Sequence, residues 1–407
     1  MTASLTAYAE ELATACKIQS RPTEVFAKIL TSNDDSGRHG VLIPNEMYSF
    51  FPELPVPDPR ENSTILFHSM GAAERTLMTL GWKYYQRYPE RRITRLNSSL
   101  NDIQHGRRLL IFVRLSDHQG NQNYITDTCV EGVDPRFYSL LELIFGPKVP
   151  AAEGAFVRLP ISGPRFSIDN NLEELLGHFD RINAMGPVNS LRSGDTGIGY
   201  TFETLIGIEE NNDKRADFKG IEIKCKLKRN SGSSGKVNLF QQAPTWMEKM
   251  DARARLRLIG QERPDGLFAC YSQVTPHPNN LGLRLKVNPS PGNLFLCKDD
   301  LGIGYWTRDT LAERLAEKHS RAIFVKAKPS CTANTVRYHY QDVVYCERPD
   351  IGRFIDLVES NKLVFEFTMR ENSSGRVRNH GYPWRLNDES FLDQLYAVQV
   401  QLRGGAS

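Results

Sequence analysis

GDTGIGYTFETLIGIEENNDKRADFKGIEIKCK, residues 194–226, decides how this chain is read. Its first half, around GYTFETLIGI, has the apolar spacing of a helix. Its second half, GIEIKCKL, alternates apolar and charged residues and predicts a strand. Residues two apart on a strand share a face, so Glu222 and Lys224 project together while Ile221 and Ile223 project into a core. Asp217, across the turn at Gly220, then folds back beside Glu222. Two converging carboxylates make a hard oxygen site suited to Mg²⁺, which binds a phosphate oxygen and lowers the pKa of a bound water. Lys224 beside them can orient or deprotonate that water, or offset charge on a pentacovalent phosphorus. Glu203, on the preceding helix, is a candidate accessory acid. An amphipathic strand with one solvated face would give the same string. The acid-bearing helix, the turn and the strand taken together favour the site.

This helix and strand resemble the core of the MvaI/BcnI family of type II restriction endonucleases. The resemblance implies the PD-(D/E)xK nuclease fold, with its motif on Asp217, Glu222 and Lys224 and with Ala216 where many members have proline. It extends to GRVRNHGYPWRLNDESFLDQLY, residues 375–396, where such enzymes carry a basic loop that reads bases. Arg376, Arg378, His380 and Arg385 are the candidates there. Arginine can donate twice to guanine O6 and N7 in the major groove, which suits a G·C-rich target. A solvated loop touching only phosphates is the alternative. The likeness spans roughly residues 165–407.

Working outward towards the start, VFAKIL, GVLIP, STILFH and RLLIFVRL read as strands of a small antiparallel barrel. PNEMYSFF and AAERTLMTLGWKYY have helical spacing. Residues 146–167, rich in Pro, Gly and Ala, read as a linker or domain edge. Beyond it, NNLEELLGHFDRINAM predicts a helix. Strands follow at LFACYSQV, LRLKV, LFLC, RAIFVKA, VRYHY and LVFEFTMR, with helices at DTLAERLAEKH, IGRFIDLVES and DESFLDQLYAV. Residues 81–110 hold seven Lys or Arg against two acids, with Trp82, Tyr84, Tyr85 and Tyr88 among them. That is a basic patch with interleaved aromatics, which also fits a plain solvated surface. The order of these elements resembles the effector domain of EcoRII and the plant B-three DNA-binding pseudobarrel, in which two arms grip the major groove. The resemblance implies Arg38 and His39 for the first arm, and Arg91, Arg92, Arg95 and Asn97 for the second.

The chain has 407 residues and a formal net charge of only +3, so no global field announces a polyanionic partner. Seven cysteines without a CxxC pair suit reduced thiols better than disulfides or zinc. No signal peptide or membrane span is visible, which predicts a bacterial cytoplasmic protein. The expected architecture is an α/β catalytic domain of PD-(D/E)xK type over 165–407, preceded by a mainly-β pseudobarrel DNA-binding domain over 1–160. The resemblance implies a monomeric type II restriction endonuclease, of the IIE kind, that uses Mg²⁺ on double-stranded DNA. It implies the target CCWGG (W is A or T), with CCSGG (S is G or C) left open. The N-terminal domain would bind a second target copy and stimulate cleavage. The rival reading is a sequence-specific DNA-binding regulator with an inert nuclease fold.

Overall fold

Strands buried on both faces organise the molecule. In a computed structural model, which describes residues 4–36, 39–101, 106–117, 119–147, 152–162, 166–208, 215–228, 235–288, 292–332 and 335–404, the first part runs as follows. Helix α1 (Leu5–Ala15) leads into β1 (Arg21–Ile29), β2 (Val41–Ile43), a 3₁₀ turn (Asn45–Phe50), β3 (Ser63–Gly71) and β4 (Leu77–Tyr85). Next come β5 (Glu90–Thr94), β6 (Arg108–Ser116), β7 (Gln122–Val130), α2 (Phe137–Phe145) and β8 (Phe156–Pro160). The apolar runs of β1 and β6 lack strict alternation because each face meets its own core. Phe26 and Phe112 pack against Phe50, Phe51 and Trp82 on one side, while Val25, Ala27 and Ile111 pack against α1 and α2 on the other.

The rest of the chain gives α3 (Asn170–Ala184), β9 (Val188–Asn189), α4 (Gly197–Leu205), β10 (Glu222–Leu227), β11 (Val237–Gln241), β12 (Thr245–Trp246) and α5 (Ala252–Ile259). It continues through β13 (Gln261–Glu262), β14 (Phe268–Val274), β15 (Leu283–Val287), β16 (Leu294–Lys298), β17 (Leu301–Trp306) and α6 (Arg308–His319). The closing elements are β18 (Arg321–Thr332), β19 (Thr335–Pro349), α7 (Ile351–Glu359), β20 (Leu363–Glu371), β21 (Val377–Asn379), β22 (Pro383–Leu386), α8 (Leu392–Leu395) and β23 (Tyr396–Arg403).

Among the described residues a 13-stranded sheet runs β10-β18-β19-β23-β8-β1-β6-β7-β3-β4-β5-β2, with β9 pairing β19 at the side. The join between the early and late parts of the chain is β8 against β23, with Val157 opposite Val400. Residues 146–167, expected as a linker, therefore contribute a strand to the middle of this sheet. Within the early part the pairings are antiparallel, except that β3 and β7 run parallel. Strand β10 lies at the sheet's end and pairs in parallel with β18, Lys224 opposite Phe324.

Two expected helices are corrected. AAERTLMTLGWKYY becomes a turn followed by β4, because Leu80 and Trp82 are both fully buried at strand period beside β3. In DESFLDQLYAV the helix proper is only α8, and the strand β23 starts at Tyr396. Tyr396, Val398, Val400 and Leu402 bury one face there at period two. The expected basic C-terminal loop contains two short strands, β21 and β22, each paired with β20.

Candidate active site

The site begins with a two-residue turn. Phe218 and Ile221 exchange backbone hydrogen bonds of 2.9 and 2.8 Å around Lys219 and Gly220. Both turn residues have positive φ, 45° at Lys219 and 85° at Gly220. This is the primed geometry that a tight hairpin needs, and Gly supplies one half of it without a Cβ penalty. The turn reverses the chain so that Asp217 Oδ2 accepts from the Ile223 N–H at 3.0 Å. Helix α4 packs behind β10 and is held in place by Phe202, which is buried against Phe179 and Tyr340.

Asp217 and Glu222 converge on one point, which is filled by a residue the local motif does not contain. Lys318, in the last turn of α6, places its ammonium 2.8 Å from Glu222 Oε2 and 3.1 Å from Asp217 Oδ1. It also donates to the Arg215 carbonyl at 3.0 Å. Lys224 pairs with the other oxygen of Glu222. His319, next along α6, is fully buried; its Nε2–H donates to the Leu239 carbonyl at 2.6 Å, and Tyr396 donates to its Nδ1 at 2.9 Å. Burial drives His319 down to about 3, so it stays neutral and serves as a brace for the end of α6.

The two carboxyls differ in acidity. Glu222 has no exposed surface, and burial lifts its pKa to about 7 against the pull of Lys224, with the Asp217 charge adding to the rise. Asp217 is also desolvated, but Lys224, the Ile223 N–H and Lys318 outweigh this and hold it below the usual range. Glu203 is half-buried on α4, and its charge acts on the Cys225 thiol and on Tyr340. The largest charge effects on Asp217 and Glu222 come from Lys224, Lys318 and, for Glu222, Asp217.

Of the C-terminal candidates, Arg378 lies on β21 and Arg385 on β22, while Arg376 and His380 flank the two ends of β21. Arg376, Arg378 and His380 are exposed, Arg378 opposite Arg370 in the β20–β21 pairing. Arg385, half-buried on β22, sits 3.2 Å from Glu366, which also binds Lys236 at 2.6 Å. In the early part of the chain, Arg38 lies outside the described residues. His39 and Arg92 border one cavity of about 360 Å³ with Asn33, Tyr85, Arg87, Tyr88 and Glu90. Arg95 is exposed, at φ 65°, and Asn97 bonds to Glu74. Arg91 points the other way, stacked 4.6 Å over Tyr48 and 5.8 Å over Trp82.

Among the described residues no group of three or more His, Cys, Asp or Glu side chains forms a metal cluster, and no helix is long and apolar enough to cross a membrane. Asp217 and Glu222 bring two carboxylates to one point. Mg²⁺ usually takes one or two protein carboxylates, with water and phosphate oxygens filling its octahedron, so Asp217 and Glu222 fit it.

No curated protein matches the chain. It is 44% identical to the B3 domain of the UbaLAI restriction endonuclease, solved with cognate DNA, over 39% of this chain and 99% of that one, with a TM-score of 0.37. With the MvaI restriction endonuclease bound to its cognate DNA substrate it shares 22% identity over 57% of this chain and 99% of that one, at a TM-score of 0.50. This second likeness shows a restriction-endonuclease fold. The family model of the MvaI/BcnI restriction endonucleases matches residues 176–396, more than half of the chain, and the match takes in the turn, β10 and α6. The chain belongs to the MvaI/BcnI restriction endonuclease family and is a site-specific deoxyribonuclease.

Proposed function

We propose that this chain is a Mg²⁺-dependent type II restriction endonuclease of the PD-(D/E)xK kind, in which Asp217 and Glu222 hold the metal and Lys224 assists the attacking water. The observation that carries this reading is the meeting of Asp217 and Glu222 about one cation, 3.1 and 2.8 Å from the Lys318 ammonium, with Lys224 on the same strand face. A divalent ion bound there would supply Lewis acidity to the phosphate and to the water. Lys224 directs its ammonium into the site, where it orients the water and offsets charge on the non-bridging oxygens. Family membership in a restriction endonuclease group sets the inert-regulator reading aside.

The proposed substrate is duplex DNA with a short G·C-rich site, CCWGG. Arg376, Arg378 and His380 have the exposure and chemistry to approach bases, whereas Arg385 is partly committed to Glu366. The test uses the full chain with Mg²⁺ and duplexes containing CCWGG, CCSGG or neither. Discrete cuts in CCWGG alone, abolished by EDTA, are expected. Cleavage of all three alike would sink the specificity, and cleavage in EDTA would sink the metal role.

A pH dependence follows from Glu222. Proton and metal compete for the same carboxylate, and the proton is held up to about pH 7. At limiting Mg²⁺ the cleavage rate should therefore rise by up to about tenfold per pH unit below 7 and level off above it. Saturating Mg²⁺ should shift the rise to lower pH. A rate flat from about pH 6 to about pH 8 at limiting metal would contradict this.

The early part of the chain is proposed to bind a second target copy and stimulate cleavage, acting as a pseudobarrel effector. The cavity shared by His39, Arg92, Arg87 and the two tyrosines supports this, because it sets cationic and aromatic groups on one surface. DNA with two sites should be cut roughly fivefold or more faster than one-site DNA. In the full chain carrying Arg92→Ala and Arg95→Ala this advantage should vanish. An undiminished advantage would remove the effector role from these residues.

A further inference from the structure

Lys318 has every mark of a built-in cation. Its ammonium donates to Asp217 Oδ1 at 3.1 Å and to the Arg215 carbonyl at 3.0 Å, and forms an ion pair with Glu222 Oε2 at 2.8 Å. Its side chain is largely covered, with 16% exposure. The C-terminal end of α6 favours a positive charge through the helix dipole, and neighbouring His319 pins the backbone there through Leu239 and Tyr396. The helix end is fixed, so only the four-carbon side chain is free to swing.

We infer that Lys318 is a resident counter-cation occupying the seat of the divalent metal, and that metal binding expels its ammonium from between Asp217 and Glu222. The inference rests on the reading of those two residues as metal ligands. Mg²⁺ binds oxygen at about 2.1 Å, whereas the ammonium stands off by nearly an ångström more. Both cannot sit at one point between the same two oxygens, and two positive charges there would repel strongly. The exit is open, because a cavity of about 560 Å³ lined by Arg215, Asp217, Gly220, Glu317 and Ser320 adjoins the site. Until metal arrives, Lys318 holds Asp217 and Glu222 together. Its cost is a weaker grip on metal in the free enzyme.

The test is Mn²⁺ binding to the full chain without DNA, followed by calorimetry, for the unaltered protein, Lys318→Met and Asp217→Ala. Lys318→Met should bind Mn²⁺ at least about tenfold more tightly, since no resident cation has to leave. It should melt lower than the unaltered protein in EDTA and gain more on adding Mn²⁺. If Asp217→Ala loses binding while Lys318→Met binds no more tightly than the unaltered chain, the inference falls and the metal site stands. If Asp217→Ala binds as the unaltered chain does, the site reading falls and takes the inference with it. Should Lys318→Met fail to fold, a Mn²⁺-soaked crystal of the unaltered chain decides. Metal between the two carboxylates with Lys318 withdrawn from both supports the inference. Lys318 still bridging them beside bound metal overturns it.

Discussion

Lys224→Ala is expected to lower the single-turnover rate of duplex cleavage by at least about three orders of magnitude, with specific DNA affinity little changed. The argument is geometric. Lys224 shares the face of β10 with Glu222, and its side chain keeps 22% exposure while Glu222 has none, so it presents a positive charge that a phosphate can approach. Alanine removes a positive charge from the position where negative charge develops, but Glu222 remains paired with Lys318. The fold should therefore survive, and thermal melting of the variant provides that control. Glu222→Gln should be as damaging to cleavage for a different reason: it deletes a ligand and leaves Lys224 and Lys318 facing a neutral amide. Metal binding separates the two, because Lys224→Ala should retain it and Glu222→Gln should lose it. Cleavage at the full rate by Lys224→Ala would remove this lysine from the chemistry.

The contrast between Lys224 and Lys318 shows what a sequence can and cannot display. Asp217, Glu222 and Lys224 stand within eight residues, so strand periodicity and one turn are enough to bring them together on paper. Lys318 reaches the same point from α6, and its spacing within DTLAERLAEKH is that of any solvated lysine near a helix end. Only the pairing of β10 with β18, which follows α6 directly, delivers it to the carboxylates. Arg91 teaches a related lesson. In ERRIT the fully buried Ile93 shares its strand face with Arg91, so period two directs Arg91 over Tyr48 and Trp82 and leaves Arg92 to face the cavity beside His39. Leu77, Leu80 and Tyr84 also satisfy a helical repeat, so local spacing alone does not separate β4 from a helix. What settles the choice is pairing with β3 across a turn, which is not a local property.

The second large effect concerns the joint between the early and late parts of the sheet. Arg158, on β8 and almost wholly buried, binds Glu24 at 3.1 Å, the Ser49 hydroxyl at 3.0 Å and the Asp393 carbonyl at 2.8 Å. Arg114 also pairs with Glu24, and Arg353 stands 3.6 Å from it. Asp393 returns the link by accepting from the Ser49 N–H at 2.8 Å. Breaking one member of such a buried network strands the others without partners, so Arg158→Met should cost about 3–5 kcal/mol, read as a lower urea midpoint. Glu24→Gln should also destabilise, because it leaves three guanidinium groups around a neutral amide. The double variant should lose less than the sum of the two, which is the signature of a direct interaction. Additive losses would mean the two residues act separately. A change below about 1 kcal/mol for Arg158→Met would mean that β8–β23 pairing and apolar packing carry the joint without the charges. The same geometry bears on any truncation. Removing residues 1–160 takes away Glu24 together with Glu46, which binds Lys326 of β18 at 2.6 Å, and leaves β23 without its β8 neighbour. A shortened chain that cuts poorly would thus report a damaged sheet as readily as a lost effector, and point substitutions in the full chain separate the two.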